Sequence, residues 1–137
     1  MLFRSFAMVR ISPDGTVRAV NAGHLPVLIR RSDGSVDEIE SSGLPLGILE
    51  AANYTESADR MDRGDLLVLY TDGITEAEDP DEEEFGVERL VKFVASLTEV
   101  TADQACAKIL EAVDDYTKGA TPQDDVTLLV VERLGEA

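Results

Sequence analysis

The sequence changes its hydrophobic period once, between about residues 75 and 86, and that change restricts the fold more than any other feature. Before it, short β-forming runs are separated by turn residues. Phe3 to Ile11 and VRAV (17–20) flank Asp14-Gly15, and PVLIRR (26–31) and VDEIE (36–40) flank Asp33-Gly34. Asp-Gly between such runs signals a hairpin, because both residues tolerate the positive φ that a tight turn needs. SSGLPLGILEA (41–51) is punctuated by Gly and Pro and reads as a loop. Tyr54 to Met61 is a weakly alternating strand. Asp65 to Tyr70 is apolar on both faces, as a buried strand is.

Beyond the change the spacing is helical. Val87, Leu90, Val91, Val94 and Leu97 share one face of a helix over 86–97. A second helix starts after the cap Thr101, with Ala105, Cys106, Ile109, Leu110, Val113 and Tyr116 as its apolar stripe, and stops before Gly119 and Pro122. Val126 to Val131 is a last apolar strand, read as central to a sheet. Six or seven strands, two helices and one strand make an α+β chain with largely antiparallel sheet. With 137 residues, no repeat and no linker, 1–137 reads as a single domain.

Charge narrows the function. Asp and Glu number 28 against 12 Lys and Arg, a net −16. That argues against nucleic acid, whose phosphates need cations, and against anionic membrane surfaces. LLVLY and VTLLVV fall far short of the ~20 residues of a membrane helix. MLFRSFAMVR is too short and too interrupted by Arg for a secretory signal. A single cysteine allows no internal disulfide and suits a reducing cytoplasm.

Carboxylates are so common here that position must discriminate among them. Two of three Asp-Gly pairs sit in hairpin turns. The third, Asp72-Gly73, follows the apolar run directly, where a rigid strand end holds a carboxylate at a cleft. Asp124-Asp125 stands at the start of the last apolar strand. Asp72 and Asp124 at two strand mouths are candidates to hold one hard cation, since Mg2+ and Mn2+ prefer oxygen ligands. Turn or cap roles are the competing reading. Asp114-Asp115 reads as a solvated helix face. Asp79 to Glu84 lacks the Gly that a calcium loop needs at its sixth position, and reads as a flexible acidic loop. His24, the one histidine, reads as a hydrogen-bonded structural residue, and Cys106 as core packing.

In order, NAGHLP (21–26), GLPLG (43–47), GDLLVLYTDGITEA (64–77), FG (85–86) and QDDVTLLVV (123–131) resemble the SpoIIE-type branch of the metal-dependent, PPM-type serine/threonine protein phosphatases. The resemblance implies part of an α-β-β-α sandwich, two antiparallel sheets flanked by helices. It implies two Mn2+ or Mg2+ ions activating a water that attacks phosphoserine or phosphothreonine. It makes Asp72 and Asp124 metal ligands, puts Asp125 just behind them, and lets Gly73 turn the backbone beside the metal. The implied substrate is a phosphorylated bacterial regulatory protein, such as an anti-sigma-factor antagonist. Members of the family also carry a GDFYD-like and a GDVSGKG-like block, the latter supplying the carboxylate that bridges both metals. Neither occurs here. The chain thus matches the carboxyl-terminal half to two thirds of such a domain. The expectations are at most one weak cation site, little activity in this chain alone, and apolar sheet surface open to self-association. A non-catalytic binding module keeping the phosphatase fold, or a plain acidic domain, are the alternatives.

Overall fold

The computed structural model describes residues 4–135. Strands β1 (Phe6–Ile11), β2 (Thr16–Ala22), β3 (Val27–Arg30), β4 (Val36–Ile39), β5 (Ser57–Arg60) and β6 (Leu66–Tyr70) come first. Helices α1 (Asp72–Thr75), α2 (Gly86–Ser96) and α3 (Ala102–Thr117) follow, and β7 (Leu128–Glu132) closes the order. The strands form two antiparallel sheets, β1-β2-β5 and β4-β3-β6-β7. Both Asp-Gly hairpins form, with Gly15 and Gly34 at φ 91° and 89°. Asp14 and Asp33 each accept the amide two residues on, at 2.9 Å, and the hydrogen bonds from Thr16 and Ser35 hold both carboxyls below their ordinary range. Phe3, placed by the sequence in the first strand, lies outside the described residues.

The sheets stack, and the helices cover the second. Pleating sends alternate residues to opposite sides. Val27 and Ile29 of β3 and Leu67 of β6 enter a core with Val17, Ala19 and Met61 of the other sheet side. Leu28 of β3 and Leu66, Val68 and Tyr70 of β6 face Leu90 and Val94 of α2 and Ile109 of α3. Strand β6 is apolar throughout because it has a core on each face. Helix α3 begins with a full capping box: Thr101 accepts the Gln104 amide at 3.2 Å, and Gln104 accepts the Thr101 amide at 3.0 Å.

Several expectations are corrected. Strand β7 is an edge, paired with β6 alone, and its Leu129 is 52% exposed. Leu128 and Val130 pack toward the helices, but the smaller opposite sheet does not reach Leu129. Leu110 lies off the buried stripe of α3, 44% exposed, and Cys106 is half-buried. The acidic loop is ordered: a bridge joins Glu78 to Glu84, Asp79 Oδ1 accepts the Asp81 and Glu83 amides, and Tyr116 Oη donates to the Glu83 carbonyl. Phe6 and Met8 on β1 are 41% and 56% exposed, the open sheet surface that the resemblance implies. No helix among the described residues is long and apolar enough to cross a membrane.

One polar cluster ties the sheets together. Arg31, just past β3, pairs with Asp59 of β5 at 2.7 Å, Asp37 of β4 at 2.7 Å and Asp65 at the head of β6 at 3.2 Å. Asp65 is buried, and it also accepts the Ser32 and Asp62 amides at 3.0 and 2.8 Å. Asp65→Ala should therefore cost about 3 kcal/mol in urea unfolding, because it removes the buried acceptor shared by Arg31 and the Ser32 and Asp62 amides. Asp37→Ala, at an exposed position on the same arginine, should cost under about 1 kcal/mol.

Candidate metal centre

The far end of β6 points the other way. After Tyr70 the chain makes one helical turn, α1, which the sequence did not reveal because four residues show no period. Asp72 opens that turn and is exposed. Its carbonyl accepts the Glu76 amide at 2.7 Å, which sets Glu76 one turn below it. The segment entering β7 runs alongside. The Thr71 amide donates to the Thr127 carbonyl at 3.1 Å, and the Thr127 amide to Thr71 Oγ1 at 3.0 Å.

Gly73 is buried at this junction. A Cβ built on it would stand 2.2 Å from the Asp125 carbonyl oxygen. The residue is glycine for close approach, since it lies in α1 and its φ is not positive. Asp124 follows on this second segment, exposed, its Oδ1 accepting the Asp125 amide at 2.7 Å. The Asp125 carbonyl accepts Thr71 Oγ1 at 3.3 Å, so Asp125 acts here through its backbone.

Asp72 and Asp124 line separate hollows, and Glu76 borders both. Asp72 lines a cleft of about 490 Å³, walled by Gly23, His24, Pro45 and Thr71, which Glu76 also enters. Asp124 lines a hollow of about 100 Å³ with Glu76, Glu78 and Glu84. The Glu76 carboxyl is raised from its ordinary value of 4.5, first by the charge of Asp72, then by slight desolvation, then by Glu84 and Asp124. No cation figures among the influences on it. Among the described residues, no three Asp, Glu, His or Cys groups converge as a ready ligand set. The donor type suits a hard cation; the donor number leaves much of its shell to water or other groups. Glu76 escaped the sequence reading because ITEAEDPDEEE offers many equivalent carboxylates. The signal was its spacing of four from Asp72 at a strand end.

The blocks 21–26 and 43–47 build the opposite wall. Buried Asn21 donates to the Leu25 and Ile39 carbonyls, and its side-chain oxygen accepts the His24 amide at 2.9 Å. Gly23, at φ 65°, lies against Pro45. His24 bridges Ser5 Oγ and the Tyr70 carbonyl, each at 3.0 Å. A carbonyl only accepts, so Nε2 carries the proton and Nδ1 accepts from Ser5. The histidine is structural, as expected, and it holds the peptide that leads into Asp72.

The Stage II sporulation protein E (SpoIIE) family model matches residues 1–134. The chain belongs to the SpoIIE family. It is 32% identical over 133 residues to Protein IcfG of Synechocystis, covering 93% of this chain and 20% of that protein. It is 35% identical over 57 residues to phosphoserine phosphatase RsbU of Bacillus subtilis, 41% of this chain and 17% of that one. The solved phosphatase domain of SpoIIE from Bacillus subtilis superposes with a TM-score of 0.75 at 22% identity, over 97% of this chain and 60% of that chain. The same domain presoaked with Mn gives 0.75 at 21%, over 97% and 58%. The chain therefore spans a fifth or less of these curated relatives and about three fifths of the solved SpoIIE domain. Its two antiparallel sheets and helices have the phosphatase fold of the family.

Two outcomes follow at this centre. Gly73→Ala should destabilise by about 2 kcal/mol in chemical unfolding, since rigid backbone faces the new methyl. A carboxyl raised in the folded state opposes folding once ionised; the cost is complete above its raised value and vanishes as the pH falls below 4.5. In metal-free buffer, Glu76→Gln should therefore melt above the parent at pH 7, with the gap closing in acid.

Proposed function

We propose that this chain is the Asp72- and Asp124-bearing part of a Mn2+- or Mg2+-dependent protein serine/threonine phosphatase domain. The observation that carries this reading is the backbone apposition of the two carboxylate-bearing segments, Gly73 against the Asp125 carbonyl and Thr71 against Thr127, with Glu76 raised by the charges of Asp72, Glu84 and Asp124 beside it. Such oxygen-only crowding at the end of a rigid strand is what a hard cation relieves. Asp72 and Asp124 would hold it, and Glu76 lines the hollows of both. When bound, a divalent cation lowers the pKa of coordinated water and polarises a phosphoryl oxygen. His24 and Thr127 hold the backbone at Tyr70 and Thr71, so the segment leading into Asp72 is fixed before any ligand arrives. The cleft beside Asp72 is the place for a phosphoserine or phosphothreonine side chain.

The substrate we infer is a phosphorylated bacterial regulatory protein of the anti-sigma-factor antagonist kind. The support is the family membership and the relative named phosphoserine phosphatase. The lack of a three-group ligand set among the described residues favours weak activity in this chain alone. It equally supports the second reading, a binding module that keeps the fold without turnover.

A thermal melt with Mn2+ separates these readings. At 100 times Kd the cation should stabilise the parent by about 2.7 kcal/mol. Asp72→Asn and Asp124→Asn should abolish that gain, while Asp115→Asn keeps it. No gain in the parent overturns the metal reading. Gain without hydrolysis of a phosphoserine peptide, even at high enzyme concentration, favours the binding module.

A further inference from the structure

Back to back with the hollow of Asp124 lies a second cavity, of about 260 Å³, between α3 and the segment 120–126. It shares Gly73, Ala77, Glu78 and Gln123 with that hollow. Its walls are mostly apolar: Leu110 and Val113 of α3 on one side, Ala120, Pro122 and Val126 on the other. Leu110 and Val126 remain 44% and 36% exposed, so the hollow is open and lacks an occupant from the described residues. Helix α3 buries Ile109 and Val113 in the core, which leaves Leu110 turned aside from it. The only charged residues lining the cavity are Glu78 and Asp114, and Asp124 and Asp125 follow within three residues of Pro122.

We infer that this cavity receives an aliphatic side chain of a protein partner, presented by a segment with Lys or Arg on both sides of it. The occupant follows from the two properties of the site. An apolar hollow of this size is filled with gain by an aliphatic group. The charged residues that line it are carboxylates, with Lys118, next to the lining residue Thr117, outside them, and on a chain of net charge −16 this balance attracts a basic segment and repels an acidic one. Its position, one wall away from Asp124, makes that partner the phosphorylated protein on which the proposed cation centre acts. This last step rests on the proposed function; the binding of a basic-aliphatic segment does not. The cavity would then choose among phosphoproteins by residues flanking the phosphorylated one, a role that no carboxylate of the cation site performs.

The probe is the peptide KKLKK, titrated into the isotope-labelled full chain in EDTA and followed by NMR. Amide shifts should centre on Leu110, Ala120 and Val126. KKSKK should bind at least tenfold more weakly, and EELEE should not bind. Ala120→Phe, which fills the hollow, should weaken KKLKK at least tenfold while the rest of the spectrum stays in place. Should that variant unfold, Leu110→Ser, at an exposed position, should give a loss of several-fold. Equal binding of KKLKK and KKSKK would reduce the effect to surface charge and overturn the inference. So would shifts confined to other residues, or undiminished binding by the filled variant. Because EDTA removes the cation, loss of the metal reading leaves this outcome standing, and the reverse also holds.

Discussion

Strand β6 has a packed core on each face, so the chain can place charge along it only where it begins and where it ends. The two ends are resolved in opposite ways. At the head, buried Asp65 meets Arg31, and that arginine also gathers Asp37 and Asp59 from both sheets. Charge there is neutralised internally and serves cohesion. At the tail, the charge of Asp72 raises the Glu76 carboxyl, and Glu84 and Asp124 add to it. The same strand thus carries a closed electrostatic site at one end and an open one at the other. An open site at a rigid strand end is the arrangement from which a cation-dependent chemistry can be built.

The wall blocks acquire a physical meaning in this setting. Asn21 folds the crossing from one sheet to the other, Gly23 admits Pro45, and His24 reaches the Tyr70 carbonyl. None of these residues needs to touch a substrate to matter. They determine where the end of β6 sits relative to the loop that precedes β3.

Much of this was legible beforehand, for identifiable reasons. Asp14-Gly15 and Asp33-Gly34 announced hairpins because their conformational needs are local. Thr101 announced the start of α3 because a helix cap is a local signal, and the structure completes it with Gln104. What escaped was set by tertiary placement. LLVV at 128–131 reads as central by composition, yet only one neighbour pairs with it. Arg30 next to Arg31 looks like solvated charge, yet it is buried and donates to the Leu97 carbonyl at the end of α2. Asp72 and Asp124 could be singled out by position, whereas Glu76 could not be told from its acidic neighbours without the turn that lifts it beside Asp72.

The absence of a side chain at Gly73 also bears on how this region tolerates changes of length. From Asp125 to Thr127 the chain is stitched to the end of β6 by direct backbone apposition at Gly73 and Thr71. An inserted residue there would rotate Asp124 out of step with its neighbours. Upstream, Gly119 to Thr121 are exposed and leave helix α3 through a left-handed cap at Lys118. Variation in connection length between relatives should accumulate in that short stretch, leaving the register of the stitched segment fixed.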